Sequence, residues 1–168
     1  MIHEKPVGAT VEWYTPPELF DHLRLYFATD PASPGRDVVP WVPAMVHYTR
    51  EDDGLAQPWT GRVWLNPPYG PAGVAFIDRM IRHGNGLLLL PARTETRAFQ
   101  RAARAADTLC FLRDRLHFIR NDGFQARSSF GSVLFAWGYP SATALQDADL
   151  GLTSPWPTLW ASRREEAS

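Results

Sequence analysis

The sequence predicts one α/β domain built around a parallel sheet. Two apolar runs, Val63–Leu65 and 86–90, flank a segment of helical length that ends near Gly84. Strand, helix and strand in this order form a βαβ unit, and open α/β sheets bind ligands beyond the carboxyl ends of their strands. The 168 residues can bury one sizeable core, and no internal repeat or domain boundary is visible, so we expect a single domain over 1–168.

The other elements are predicted from hydrophobic periodicity and from the positions of proline and glycine. Thr15-Pro16-Pro17-Glu18 indicates a helix start, with Thr15 as the cap. Leu19, Phe20, Leu23, Tyr26 and Phe27 share one face of this helix, although 26–29 could instead begin a strand that ends at Asp30. The patterns further predict a loop over 31–44, a short strand over 45–49, a helix over 95–106 and a strand over 108–112. A C-terminal β-hairpin is expected from 115–120 and 130–137, and loosely structured tails over 1–9 and about 140–168.

Composition is that of a globular protein, with 45% hydrophobic and 21% charged residues. The single cysteine, Cys110, lies in an apolar run, so neither a disulfide within the chain nor a cysteine zinc site is expected. The five histidines show no ligand spacing, which predicts no metal site. No signal peptide or membrane-length apolar stretch is visible, which favours a cytoplasmic protein without a membrane partner.

Charge is distributed unevenly along the chain. Residues 1–78 carry five basic and ten acidic side chains, a net of −5, whereas residues 79–127 carry ten arginines and four acids, a net of +6. A polyanion would meet the second segment if the fold gathers its arginines on one face. The alternative is a set of solvated helix faces. The candidates for phosphate contacts are Arg93, Arg97, Arg101, Arg104 and Arg115.

The most informative motif is Asn66-Pro67-Pro68-Tyr69, directly after the strand Val63–Leu65. Two prolines fix φ and remove two backbone donors, so the loop is stiff and holds the Asn66 amide oxygen and nearby carbonyls as a fixed set of acceptors. A planar amino group can donate both protons to this set while the Tyr69 ring stacks on the base. The pattern is typical of the catalytic loop of amino-group methyltransferases that use S-adenosylmethionine. A proline-rich turn with a packed tyrosine is the alternative.

Taken in order, several segments resemble the phage-encoded DNA N6-adenine methyltransferases. They are 10–17, 29–33, 51–55 with Trp59, 64–70, 90–96 and 115–118, and the resemblance extends over about residues 10–138. It implies an abbreviated Rossmann-like methyltransferase fold, S-adenosylmethionine as methyl donor and adenine in double-stranded DNA as acceptor. A phage enzyme of this kind would act in the cytoplasm of the host cell.

The resemblance also implies roles for individual residues. Asn66, Pro67, Pro68 and Tyr69 would form the catalytic loop, which receives an adenine flipped out of the helix. A second set would bind the donor: Trp13, Thr15, Pro16, Asp30, Pro31, Ala32 and Asp53. The predicted substrate-binding residues, from the charge pattern, are Arg93, Arg97 and Arg115.

One departure from the family pattern concerns the donor loop. The usual glycine-rich stretch after Asp-Pro-Ala is absent, and 36 positions separate Asp30 from Asn66, too few for two full βα units. Either the sheet is abbreviated, or Asp30 is the ribose-binding acid of the second strand.

Three other functions stay open on sequence grounds. Adenine in RNA and the amide of a protein glutamine present the same planar amino group to the loop, and a nucleic-acid-binding module without catalysis is a third possibility. The basic segment favours nucleic acid over glutamine. The sequence predicts neither the recognition site nor the oligomeric state.

Overall fold

The computed structural model describes residues 13–155 of the chain. The helices of this part are α1 (Pro17–Leu23), α2 (Pro71–His83), α3 (Arg97–Ala105) and α4 (Tyr139–Asp147). Its strands are β1 (Trp13–Tyr14), β2 (Phe27–Asp30), β3 (Ala44–His47), β4 (Val63–Leu65), β5 (Gly86–Pro91), β6 (Thr108–Leu112), β7 (His117–Arg120), β8 (Gln125–Arg127), β9 (Ser132–Trp137) and β10 (Gly151–Pro155). None of the described helices is long and apolar enough to cross a bilayer.

Seven strands form the main sheet, in the order β10-β6-β9-β5-β4-β2-β3. The pairs β3–β2, β2–β4 and β4–β5 are parallel, whereas β9 is antiparallel to both β5 and β6. The chain passes from β2 outward to β3 and then returns to the other side of β2 at β4. Such a reversal is a topological switch point, where open α/β sheets bind their ligands in the crevice beyond the carboxyl ends.

The central strands β4, β5 and β9 are buried on both faces, which explains why they are apolar without alternation. On one face Trp64 packs edge-on against Phe20 of α1, with ring centroids 4.7 Å apart. On the other face Leu88 belongs to a cluster that includes Met80 of α2 and Phe99 of α3. The core of the domain therefore consists of two apolar layers, and the loops at the strand ends are free to carry function.

The predicted βαβ unit is confirmed as β4, α2 and β5, and α2 ends at Gly84 in the left-handed conformation, with φ 66°. Asp30 ends β2, which pairs directly with β4. The connections 31–43 and 48–62, both within the described part of the chain, contain no helix. The absence of a helix from both connections accounts for the short spacing between Asp30 and Asn66, and the ribose-binding role of Asp30 stays a prediction.

The predicted hairpin is wrong in its second strand. β7 pairs with β8, and on its other side with β1, to form a separate three-stranded sheet. Residues Ser132–Trp137 form β9 instead, which lies between β5 and β6 and is buried along its whole length. The run Ser132–Trp137 is apolar without alternation, so it is stable where both its faces are covered. The small sheet, whose strand β8 is exposed, provides no such cover, whereas the main sheet does.

The expected loose tail from about 140 is also wrong as far as residue 155. α4 begins with Tyr139 and Pro140, a position where proline's missing N–H costs nothing, and it buries Leu145 against the sheet. β10 then pairs with β6 over five residues. The expected tail over 1–9 and the remainder of the C-terminal one, 156–168, lie outside the described residues.

Replacing Leu88 with alanine should lower the free energy of unfolding by about 2–5 kcal/mol, because Leu88 is fully buried and its removal leaves a cavity. Urea denaturation would measure the change. Leu152→Ala is the matched control, because Leu152 is 74% exposed and its truncation should alter stability little. Equal effects of the two substitutions would contradict the assignment of the core.

Candidate active site

Three loops carrying predicted site residues leave the same edge of the sheet. β2, β4 and β5 are parallel, so the segments after Asp30, Leu65 and Pro91 all begin at their carboxyl ends. The first two loops flank the switch point between β2 and β4. The structure therefore brings together the predicted catalytic loop and the predicted Asp30 loop, which lie on neighbouring strands about 4.8 Å apart.

The side chain of Asn66 is held by Thr15. The Asn66 Nδ2 donates a hydrogen bond to Thr15 Oγ1 at 3.2 Å, and Thr15 is itself buried, its carbonyl accepting from Trp41 Nε1 at 2.9 Å. With its nitrogen engaged in this way, the Asn66 amide leaves its oxygen Oδ1 as an acceptor. The predicted capping role of Thr15 is wrong: Pro16 is the N-cap of α1, and no side-chain bond caps it.

The rest of the catalytic loop is fixed by its backbone. Pro67 is buried and Pro68 exposed, while the Tyr69 ring is 56% exposed and can receive a planar partner. Gly73, in the first turn of α2, lies so close to the loop that a Cβ there would be 2.0 Å from the Pro68 carbonyl oxygen. The absence of a side chain at residue 73 therefore lets the helix support the loop directly.

Asp30 is a buried carboxyl group, 3% exposed, in a small polar network. Its Oδ1 accepts from the Ala32 N–H at 3.2 Å, and its Oδ2 lies 3.9 Å from His47 Nδ1. Burial raises the pKa of Asp30 to about 7, although hydrogen bonds from the Ala32 N–H and the Ser33 hydroxyl oppose that shift. A carboxyl group that changes its charge near neutral pH is characteristic of functional sites.

His47 completes this network from β3. Its Nε2 lies 3.1 Å from the Ala44 carbonyl oxygen, and because a carbonyl only accepts, Nε2 carries the proton. Its Nδ1 lies 2.8 Å from Ser33 Oγ and accepts from that hydroxyl when the ring is neutral. Burial, with the nearby positive charge of Arg36, lowers the pKa of His47.

Asp53 lies beside the Asp30 loop, but its carboxylate is exposed. The contact is made by its neighbour Gly54, where a Cβ would be 1.8 Å from the Pro31 carbonyl oxygen. Arg79 of α2 holds the same turn by donating to the carbonyls of Leu55 and Gln57, the second at 2.7 Å. The position of Asp53 relative to Pro31 is thus determined by backbone contact rather than by its own side chain.

The remaining predicted donor residues lie around these loops. Trp13 is partly buried in β1 and packs against the core under α1, and Pro16 is buried at the start of α1. Pro31 is buried, and Ala32 packs partly against the cluster on the α2 face. Among the described residues, no group of three or more histidine, cysteine or acidic side chains could hold a metal ion.

The arginines of the basic segment do not share one face. Arg79 is used inside the protein, and Arg101 binds Asp78 at 2.7 Å. Arg82 and Arg104 line a groove between α2 and α3. Both helices start near the carboxyl edge of the sheet and run away from it. Arg82 and Arg104, in the last turns of α2 and α3, therefore lie toward the opposite edge.

A second group of arginines lies at the carboxyl edge. Arg97 is exposed at the start of α3, and Arg93 is exposed in the loop before it, with its guanidinium 5.4 Å from the centre of the Phe130 ring. Arg115 and Arg127 are exposed at the base of the β7–β8 hairpin, where Arg127 pairs in register with His117. β6 runs in the same direction as β5, because β9 is antiparallel to both, so the segment after Leu112 that contains Arg115 also begins at the carboxyl edge. The predicted contacts Arg93, Arg97 and Arg115 are therefore on the edge that carries the catalytic loop.

Sequence reasoning missed the residues that hold the site in place. They are Ser33, Trp41, His47, Gly54, Gly73 and Arg79. The two glycines left a usable signal, since a glycine within a helix or beside a predicted loop often marks close backbone approach. The other four act through contacts between residues far apart in sequence, and nothing in their local pattern indicates such contacts.

Replacing Gly73 with alanine should destabilise the protein by about 1–3 kcal/mol, because the new Cβ collides with the Pro68 carbonyl. Helix propensity alone would predict the opposite, a gain of about 1 kcal/mol. Ala75→Gly, at an exposed position of the same helix, is the control and should lose about 1 kcal/mol. A Gly73→Ala protein that is more stable in urea denaturation would refute the contact.

Comparison with known proteins connects this edge to a family. A family model described as DNA N-6-adenine-methyltransferase (Dam) matches residues 4–141. No curated protein and no solved structure matches the chain. The match covers most of the sequence, including the loops after β2, β4 and β5 and the whole β7–β8 hairpin.

Proposed function

The chain belongs to the Dam family of DNA N6-adenine methyltransferases, and on this premise we propose that it transfers a methyl group from S-adenosylmethionine to N6 of an adenine in double-stranded DNA. Family membership implies the DNA adenine methyltransferase activity. The observation that carries the residue assignment is the Oδ1 acceptor of Asn66 at the carboxyl edge, beside the switch point between β2 and β4, with the amide nitrogen held by Thr15.

Asn66 is the proposed catalytic residue. The lone pair of an adenine amino group is delocalised into the ring, so N6 is a weak nucleophile. An N6–H donated to Asn66 Oδ1, and another to a loop carbonyl such as that of Pro67, favour a pyramidal nitrogen and stabilise the positive charge that grows on it. Because Thr15 holds the amide nitrogen at 3.2 Å, the oxygen is oriented before the base arrives.

Tyr69 is the proposed stacking partner of the base. Its ring is 56% exposed at the edge of the sheet, so a planar base can stack on it. A base within a duplex is already stacked on both faces, so we propose that the adenine leaves the helix and that the ring then holds it in place, which is a proximity effect. Stacking against an aromatic ring contributes about 1–3 kcal/mol per base in nucleic-acid-binding proteins.

The loops on the β2 side fit the donor by their chemistry. When bound, S-adenosylmethionine supplies an electrophilic methyl group. Asp30 and Asp53 accept hydrogen bonds when ionised, which suits ribose hydroxyls and amino groups. The contact of Gly54 with the Pro31 carbonyl keeps these two acidic residues on adjoining loops. We also propose Trp13, Thr15, Pro16 and Ala32 as donor-side residues, as their position around the edge suggests.

Charge at the carboxyl edge supports DNA as the substrate. Arg97, Arg115 and Arg127 are exposed there and form no ion pair with any described residue. Arg93 lies over Phe130 and pairs with Glu95 at 3.8 Å, but both side chains are exposed, and so weak a pair can give way to a phosphate. Arg101 is omitted from the proposed surface because Asp78 neutralises it.

Asn66→Ala should reduce the methylation rate by about 10²–10³-fold, because the missing acceptor acts mainly in the transition state. Donor affinity should change little. Transfer of tritiated methyl groups to duplex DNA measures the rate. Thr15→Val should give a smaller loss, since Asn66 remains but is no longer oriented, whereas Thr15→Ser retains the hydroxyl and should stay active. Full turnover by the Asn66 variant would refute its catalytic role.

Tyr69→Ala should lose most activity, while Tyr69→Trp should keep part of it, because stacking needs an aromatic ring and not a hydroxyl. The transfer assay measures the activity of both variants. A separate fluorescence measurement on DNA with 2-aminopurine at the target position, a base with no 6-amino group to methylate, follows base capture alone: the alanine variant should lose the fluorescence rise that accompanies flipping. Equal activity of the two variants would indicate that the ring has no stacking role.

Arg115→Gln combined with Arg127→Gln should weaken DNA binding. The salt slope, the steepness with which the logarithm of the binding constant falls with the logarithm of the salt concentration, should decrease by about 1 for each phosphate that is no longer neutralised. Arg82→Gln combined with Arg104→Gln removes the same charge from the other end of the domain and should alter the slope little. Fluorescence anisotropy over a range of salt concentrations measures both. Equal effects of the two double variants would mean that net charge, and not this edge, attracts DNA.

The substrate class is tested by supplying labelled donor together with duplex DNA, RNA and a protein extract. Label in DNA as N6-methyladenine is expected. Label found only in RNA or in protein glutamine would overturn the DNA assignment and leave the methyl-transfer chemistry. A protein that binds DNA but no donor, measured by calorimetry, would be a binding module.

A further inference from the structure

The network of Asp30, Ser33 and His47 consists of polar side chains, although apolar ones could fill the same buried volume. All three side chains are nearly buried: Asp30 is 3% exposed, Ser33 4%, and the His47 side chain 4%. Two of them can ionise, and an apolar pair of similar volume would cost less to bury. They lie at the carboxyl ends of β2 and β3 and in the loop that follows β2.

The Ser33 hydroxyl has one proton and two neighbours that can accept it. Its Oγ lies 2.8 Å from His47 Nδ1, and the hydroxyl is close enough to Asp30 to lower the pKa of that carboxyl group. If His47 is protonated, Nδ1 donates to Ser33 and the hydroxyl turns to an ionised Asp30. If the ring is neutral, the hydroxyl turns to His47, and Asp30 loses a donor that favours its charged form. One proton can therefore be shared between the carboxyl group and the imidazole.

The charged groups that border this network come from β3, from the loop 31–43 and from the turn that contacts Pro31. His47 lies on β3, and Arg36, in the loop 31–43, reaches the Ala44 carbonyl at 3.0 Å and acts on the ring. Asp52 and Asp53 belong to the turn against Pro31, and both are exposed. The loop from Pro31 to Ser33 joins the network to the edge of the sheet, because the Ala32 N–H donates directly to Asp30.

We propose that Ser33 and His47 are positioning residues that hold Asp30 and share its proton, so that binding of the methyl donor releases this proton. The inference depends on the proposed function, because it takes the Asp30 loop as the donor site. S-adenosylmethionine bears a sulfonium and an ammonium group against one carboxylate. A ligand with net positive charge beside Asp30 favours the ionised carboxylate and expels the proton.

The test measures donor affinity from pH 6 to pH 8 by isothermal titration calorimetry, in buffers of different ionisation enthalpy. A site that binds only when Asp30 is ionised should bind about tenfold more tightly at pH 8 than at pH 6, since its carboxyl group titrates at about 7. Donor binding at pH 7 should also release about half a proton for each molecule bound. Asp30→Asn serves as the reference, because its profile contains only the titration of the donor's own amino group.

Variants of the positioning residues distinguish proton sharing from simple support. Ser33→Ala removes a donor to the carboxylate, so the midpoint of the affinity profile should move to higher pH. His47→Gln preserves a bond to the Ala44 carbonyl but removes the second site for the proton, so the midpoint should move to lower pH. A uniform loss of affinity at every pH, with unmoved midpoints, would mean that both residues are merely structural and would overturn the proposal.

A measurement without donor separates this inference from the proposed function. The folded protein holds the Asp30 proton up to about pH 7, whereas the unfolded chain releases it near 3.8. Stability from this group is therefore lost as pH rises from about 4 to 7, and the Asp30→Asn variant should gain stability relative to the parent over that range. If this gain is present but no donor binds at any pH, the proposed function fails. If donor binds with a profile equal to that of Asp30→Asn, the proton coupling fails.

Discussion

The direct parallel pairing of β2 with β4 is the constraint on which the candidate site depends. It places Asp30 and Asn66 on adjacent strands at a point where the chain reverses direction across the sheet. Many doubly wound sheets reach a comparable arrangement with a helix in each connection, but here the links 31–43 and 48–62 are helix-free. The pairing is stable without those helices because β4 and β5 are buried between two apolar layers.

Close backbone contacts compensate for the missing helices. Gly54 lies against the carbonyl of Pro31, and Gly73 lies against the carbonyl of Pro68, so each functional loop is supported by backbone from another segment. Arg79 secures the first contact by donating to carbonyls of the turn 53–57, and its guanidinium lies 4.6 Å from the centre of the Trp59 ring. Both loops are thereby held in position, the Asp30 loop by an irregular turn and the Asn66 loop by the first turn of α2.

The arginines of the chain form two groups: some bind groups within the folded protein, and others are exposed at its surface. Arg79 and Arg101 are engaged by carbonyls and by Asp78, whereas Arg97 and Arg115 at the carboxyl edge meet no acid among the described residues. A count of charge along the sequence treats all four alike. Their different environments explain why a segment of net +6 exposes its free cations in two separate places.

The sequence by itself determined the βαβ unit around the Asn66 loop and the family, because these rest on local hydrophobic period and on short motifs. The tertiary structure alone decided that Thr15 orients Asn66 instead of capping a helix, since the bond joins residues 51 positions apart. It also decided that 132–137 is a central strand: an apolar run looks the same in a hairpin and in a buried sheet, and only the neighbouring strands distinguish the two. The network of Asp30 and His47 likewise arises from the pairing of β2 with β3, which no local pattern specifies.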